Sequence, residues 1–163
     1  PRDAFVDIVS LLELALPVID PSFNLLPVPD KELSGRYAET RPYEHAIYVK
    51  ESVYDAAIRG GGQARMILAH ELAHYLYHSP REISFAYVNR NERLDSNVDP
   101  ERQADIFAAE FLAPSGELRG LSVSDVQRKF GVSALAAKNQ LRQASNIARR
   151  HASKKKRRSG PKA

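Results

Sequence analysis

The chain has 163 residues, 43% of them hydrophobic, which is enough for one compact domain with a real core and excludes wholesale disorder. It contains no cysteine, so disulfide bonds and thiolate metal sites are excluded, and a metal would need imidazole and carboxylate ligands. The formal net charge of +4 is unevenly placed: residues 149–163 carry eight basic residues and no acidic one, which leaves −4 on residues 1–148.

The first predicted element is an amphipathic helix from Asp3 to Leu16, which Pro17 would end. Acidic and polar residues interrupt its apolar run, which is too short and too polar for a membrane span and lacks the basic leader of a secretion signal. We therefore expect a cytoplasmic protein with no membrane contact. Four prolines within residues 17–34 predict an extended, turn-rich connection after the helix.

A small sheet and two helices are predicted next. Residues 35–40 and 45–50 have strand character, and the alternation in the second segment suits a half-buried antiparallel strand, so we expect a hairpin. A short helix over residues 51–59 would end at the glycine run 60–62. Residues 63–78 carry apolar side chains at steps of three and four, which predicts an amphipathic helix.

A further helix is predicted to begin at Asp99. An aspartate in the N-cap position followed by Pro100 is typical of a helix start, and this helix should continue through Ala113. In the stretch before it, residues 83–88 could form a strand or an irregular loop.

The end of the chain is predicted to form a helix, a tight turn and a second helix. The helices cover residues 123–130 and 134–150, and the turn contains Gly131. Beyond His151 the chain is basic and poor in apolar residues, so we expect it to be disordered.

The main chemical signal is the segment His70-Glu71-Leu72-Ala73-His74 within the helix at residues 63–78. Two histidines four residues apart lie on one helical face and can share a metal ion. Zinc accepts neutral imidazole and leaves room for one more side chain and a water. Glu71 lies about 100° around the helix from His70 and can take a proton from that water. The alternative is a helix with surface histidines and no metal.

Two residues compete for the third ligand position. His78 continues the four-residue series, but it lies about 12 Å along a helix from His70, too far for both to bind one ion. Glu101 and Asp105 share a face of the next helix, so Glu101 could bind the metal while Asp105 accepts the ring N–H of a histidine. Acidic residues favour a helix start in any case, so a solvated acidic face remains open for these two, and the histidine pair is what favours Glu101.

Two more residues of this helix are informative. Ala104 is small, which would let the helix approach the histidine helix closely. Glu110 lies about 180° around a helical wheel from Glu101, so we expect a structural role for it.

Two blocks of sequence resemble the ImmA/IrrE family of metallopeptidases. The first, from His70 to His78, is similar to the metal-binding helix of that family. The second, from Glu101 to Pro114, resembles its glutamate-containing helix and ends in Phe-Ala-Ala-Glu-Phe-Leu-x-Pro. The resemblance is close over residues 64–114 and weaker over about 35–145. One departure is Ala73, a position that is often glycine in the family.

The resemblance implies a compact α+β domain of the gluzincin type, with a small antiparallel or mixed sheet packed on the metal-binding helix and a helical pair after it. Residues 1–120 would form the metallopeptidase domain, residues 121–150 a helix-turn-helix-like subdomain and residues 151–163 a basic disordered tail. Residues 35–50 would receive a substrate peptide as an added strand.

The implied activity is that of a zinc-dependent endopeptidase. Its Zn²⁺, or Mn²⁺, which accepts the same ligands, would be bound by His70, His74 and Glu101, with Glu71 as catalytic base. Family members cleave transcriptional repressors of the helix-turn-helix kind, so a repressor of that kind is the expected protein partner. No oxyanion-stabilising residue is assigned, although four side chains are chemically able to donate, namely His45, Tyr75, Tyr77 and Tyr87.

A second hypothesis is a DNA-associated regulator of transcription that has a structural or sensory metal site. Residues 123–141 are similar in outline to a DNA-binding helix-turn-helix, and the basic tail could attract nucleic acid weakly. The candidate base-reading residues are Lys138, Asn139, Gln140, Arg142 and Gln143. Against this, helix pairs of this form also close the domain in the resembled family.

Overall fold

Six helices and one three-stranded sheet make up the residues that the computed structural model describes, 4–77 and 99–158, with side chains described as far as Arg149. This is the predicted α+β class with a small mixed sheet. The helices are α1 (residues 8–19), α2 (Glu51–Ile58), α3 (Gly62–Tyr77), α4 (Pro100–Leu112), α5 (Val123–Phe130) and α6 (Ala134–Arg158), and the strands are β1 (Asn24–Val28), β2 (Ala38–Arg41) and β3 (Ala46–Lys50). The predictions for His78, Tyr87 and residues 83–88 lie outside the described residues.

The sheet has the order β1-β3-β2, with β3 parallel to β1 and antiparallel to β2. The predicted hairpin is confirmed as β2 and β3, joined by a short 3₁₀ turn over Pro42–Glu44. β1 lies in the segment predicted as an extended, turn-rich connection, so one strand was missed. Its Pro27 is opposite Val49 of β3. A proline is tolerated there because β1 is at an edge of the sheet among the described residues.

Pro17 lies inside α1, so the prediction that it ends the helix was wrong. The N–H of Leu16 bonds to the carbonyl of Leu11, five residues back, which is the spacing of a π-helix. A proline has no N–H to donate and its ring crowds the carbonyl four residues back. The wider turn just before Pro17 accommodates that ring, and α1 continues to Ile19.

α3 runs through the centre of the core, and α4 packs along it. The buried face of α3 includes Leu68, Ala69, Leu72 and Ala73, while α4 contributes small buried residues that include Ala104 and Ala108. Alanines on both sides allow the two helix backbones to approach closely. The close approach predicted from Ala104 is therefore confirmed, and it brings the first turn of α4 beside the histidines of α3.

The helix pair α5–α6 is tied to α3 by a buried arginine. The Arg65 side chain is 1% exposed, and its guanidinium donates to the carbonyls of Phe130, Gly131 and Val6. These contacts connect the N-terminal segment, α3 and the turn between α5 and α6. Gly131 has a φ of 64°, in the left-handed region that favours glycine at the end of a helix.

α6 continues to Arg158 without a break at residue 150, so residues 151–158 are helical instead of forming the disordered tail that their composition indicated. Lysine and arginine are good helix formers, and their positive charge is favourable near a helix C-terminus. Among the described helices, none has the length and apolar composition needed to cross a membrane.

Candidate metal centre

Three side chains from α3 and α4 converge on one point. The Nε2 atoms of His70 and His74 are 3.0 Å apart, and the two carboxylate oxygens of Glu101 lie 3.3 Å and 3.4 Å from them. Ligand atoms about 2 Å from a tetrahedral zinc are separated by roughly 3.3 Å. The structure thus brings together the three residues that the sequence indicated as ligands, at distances that fit one metal ion.

Local sequence explains why Glu101 is in position. Asp99 caps α4 by accepting a hydrogen bond from the Glu101 N–H at 3.1 Å, and Pro100 occupies the first helical position. The helix start is thereby set at the residue that must face α3. The predicted cap is confirmed.

Asp105, one turn after Glu101, contacts the other side of the His70 ring. Its Oδ1 lies 3.0 Å from His70 Nδ1. A carboxylate that accepts the Nδ1–H holds the ring in the tautomer whose Nε2 lone pair points to the metal position. The structure therefore places Asp105 where the sequence argument put it.

Glu71 has a partner that the sequence argument missed, Thr40 on β2. The Thr40 hydroxyl lies 2.6 Å from Glu71 Oε2 and 2.9 Å from the Glu71 carbonyl oxygen. It has one proton and donates to one of them at a time, and the shorter distance is to the carboxylate. The family resemblance implies that residues 35–50 receive the substrate. No sequence pattern, however, links Thr40 to Glu71, 31 positions later.

The converging residues lie in an open cleft of about 540 Å³ between β2, α3 and the start of α4. The histidine side chains are largely buried, while Glu101 is mostly exposed. On the β2 side, the cleft is lined by Arg36, Ala38, Glu39, Thr40 and Pro42. A substrate chain can therefore reach the metal position from solvent.

Residues 26–142 match the family model described as the IrrE N-terminal-like domain, a peptidase family. The chain belongs to this family. The matched segment contains the whole candidate metal centre, and membership supports a metallopeptidase function. No match was found among curated proteins or among solved structures.

In this IrrE-like domain, the described oxyanion candidates do not line the cleft. Tyr75 donates to Asp20 and packs edge-on against Phe23, with ring centroids 4.7 Å apart. Burial and the bond to Asp20 raise the pKa of Tyr75, so it stays a neutral phenol. His45 ends the turn before β3, and Tyr77 packs against Phe107.

The helix pair of the IrrE-like domain turns part of its polar face inward. Gln140 is 2% exposed and donates to Glu110 Oε1 at 2.9 Å and to the Ala113 carbonyl at 3.0 Å. Glu110 also accepts from the Ser115 N–H, which confirms its structural role. Gln140 is therefore unavailable to a base, whereas Lys138 and Arg142 remain exposed.

Proposed function

We propose that the protein is a zinc-dependent endopeptidase in which His70, His74 and Glu101 hold the metal and Glu71 is the general base. The observation that carries the proposal is the convergence of three ligand atoms next to Glu71 in an open cleft. Two neutral imidazoles and one carboxylate suit catalytic zinc and leave a position for water, and Mn²⁺ accepts the same set.

When bound, the ion supplies Lewis-acid chemistry that makes a water more acidic and polarises the peptide carbonyl. Thr40 engages Glu71 Oε2, which leaves Oε1 to accept a proton from the attacking water. The protonated carboxyl then gives that proton to the departing amine nitrogen, so the carboxylate is restored after each cleavage. Asp105 keeps the His70 ring oriented throughout.

The edge of β2 supports binding of an extended peptide. Among the described residues β2 pairs with β3 alone, and its residues 38–40 line the cleft. A peptide strand can add to such an edge through backbone hydrogen bonds. The expected substrate, a repressor of the helix-turn-helix kind, rests on the family resemblance.

The test replaces the general base. We expect Glu71→Gln to retain zinc, measured by inductively coupled plasma mass spectrometry. The rate at which it cleaves peptides and a helix-turn-helix repressor should fall by at least about 100-fold, the lower end of the range for loss of a general base. Unchanged turnover would remove Glu71 from its role.

The alternative function, a DNA-associated regulator with a structural or sensory metal site, makes the opposite prediction. Glu71→Gln would then leave the protein's effect on transcription unchanged. Substitutions that remove the positive charges of the exposed Lys138 and Arg142 would abolish that effect. Measuring both variants on the same promoter separates the two functions.

A further inference from the structure

Two further cavities lie in a row beside the metal cleft. A cavity of about 300 Å³ shares Ala38, His70 and Glu71 with the cleft. A third, of about 360 Å³, shares Gln63, Met66 and Asp105 with the second and extends to the start of α6. Because neighbouring cavities share lining residues, the three adjoin one another in a row, and we call this row the α3 groove.

One face of α3 forms the floor of the α3 groove. The lining residues at positions 63, 66, 67, 70, 71 and 74 recur at steps of three and four, as one helical face requires. From Gln63 to His74 this face is roughly 16 Å long at 1.5 Å per residue. An extended peptide rises about 3.3 Å per residue, so the groove accommodates about five residues.

The walls of the groove suit one extended chain. β2 borders it through Ala38, and α4 borders it through Asp105 and Ile106. A strand edge on one side can bond the peptide backbone, as can the amides of Gln63 and Asn139 farther along.

The far end of the groove is apolar and exposed. Leu135 is 70% exposed and Ile106 is 42% exposed, and both line the same cavity together with Met66. Large apolar side chains exposed at the end of a groove are typical of a binding site. The distance from His70 to Gln63 along α3 corresponds to roughly 10 Å, or about three residues of extended peptide.

We infer that the α3 groove binds the substrate chain on one side of the scissile bond and holds an apolar side chain, three to four residues from that bond, against Ile106 and Leu135. The inference rests on the proposed endopeptidase function and adds a substrate preference to it. It also makes the start of α6 part of the substrate site.

The first test is a cleavage profile. The zinc-loaded 163-residue chain is incubated with a peptide library made from a digested proteome, and the products are identified by mass spectrometry. We expect large apolar residues to be enriched at the third or fourth position on one side of the cleaved bonds. Leu135→Glu should remove this enrichment and lower kcat/KM for the best peptide about tenfold, with zinc content unchanged.

The matched control is Leu14→Glu. Leu14 lies on α1, outside the groove, and is 69% exposed, against 70% for Leu135. This control should leave the profile as in the unaltered protein. An unchanged profile in Leu135→Glu, or an equal change in Leu14→Glu, would overturn the inference while leaving the endopeptidase function intact.

A binding test separates the groove from the chemistry. Zinc-loaded Glu71→Gln is titrated with fluorescein-labelled decapeptides in which one leucine is moved through a serine background, and binding is followed by anisotropy. Binding that depends on the leucine, and that Leu135→Glu abolishes, supports the groove even if no peptide is cleaved. Binding without cleavage would contradict only the proposed catalysis. If the decapeptides do not bind and the library is not cut, both proposals fail.

Discussion

At the scale of single residues, the site consists of side chains that each hold another in place. Asp105 orients His70 and Thr40 engages Glu71, so each of these two residues acts through its neighbour. Outer partners of this kind restrict the orientation of the group that does the chemistry. Their effects should therefore be seen in turnover or metal affinity more than in folding.

Thr40→Val tests the contact to Glu71. Valine has nearly the same shape but no hydroxyl, so the carboxylate loses a charge-assisted hydrogen bond worth about 1.5–3 kcal/mol. We expect kcat to fall roughly 10-fold or more on that basis, with KM and zinc content nearly unchanged. Thr40→Ser keeps the hydroxyl and should restore kcat; a serine variant as impaired as the valine variant would contradict a positioning role.

Glu101→Ala tests the third ligand. Loss of an outer partner costs about 10- to 100-fold in metal affinity, and Asp105→Ala should fall in that range. Loss of a direct ligand should cost more, so Glu101→Ala is expected to bind zinc most weakly in competition with a fluorescent chelator. His78→Ala is the comparison, because the eight-residue spacing from His70 predicts that His78 does not bind the metal. Loss of zinc from that variant would mean the ligand assignment is wrong.

At the scale of elements, the start of α3 is packed directly on the turn between α5 and α6. A Cβ added at Gly62 would collide with backbone atoms of Val132 and Ser133. Backbone cannot move aside as a flexible side chain can, so glycine is required there for packing. Together with the Arg65 hydrogen bonds, this contact packs the helix pair against the start of α3.

Gly62→Ala should therefore be destabilising, although alanine is the better helix former by about 1 kcal/mol. We expect the free energy of unfolding to fall by about 1–3 kcal/mol, the usual cost of overpacking. Urea denaturation measures it. Gly116→Ala is the control, because an added Cβ there meets no atom within 4 Å. Equal stability of the two variants would show that α3 can move away from the turn.

At the scale of the whole molecule, the charge is divided between residues 1–148, with a formal charge of −4, and residues 149–163, which carry eight basic residues. Residues 145–149 are exposed, and Ile147 and Ala148 line an open cavity beside residues 115–121. Positive charge that is exposed and clustered attracts phosphate backbones in a salt-dependent way. Catalysis and any attraction to nucleic acid should then reside in different parts of the chain.

Deletion of residues 152–163 tests this separation. We expect kcat/KM on short peptides to stay within about twofold, since surface changes away from a site are usually small. Retardation of duplex DNA at low salt should be lost in the same variant. Peptidase activity that disappears with the tail would show that the end of α6 supports the fold or the site.

The sequence alone determined the features that depend on neighbours within a few residues. The two histidines share a helical face because of their spacing, and Asp99 with Pro100 begins α4 through contacts inside its first turn. The glycine end of α5 is of the same kind. Each of these features depends on contacts between residues close together in the chain, so a sequence pattern predicts it.

Tertiary structure decided several contacts between distant segments that the sequence did not predict, whereas the meeting of Glu101 with the two histidines was predicted. The pairing of β1 with β3, the bond from Thr40 to Glu71 and the α3 groove all depend on how separate elements pack. Even the position of Pro17 inside α1 depends on a π-helical turn that the sequence did not predict. Such contacts are selected by burial and by backbone hydrogen bonding across the fold, and these have no fixed spacing along the chain.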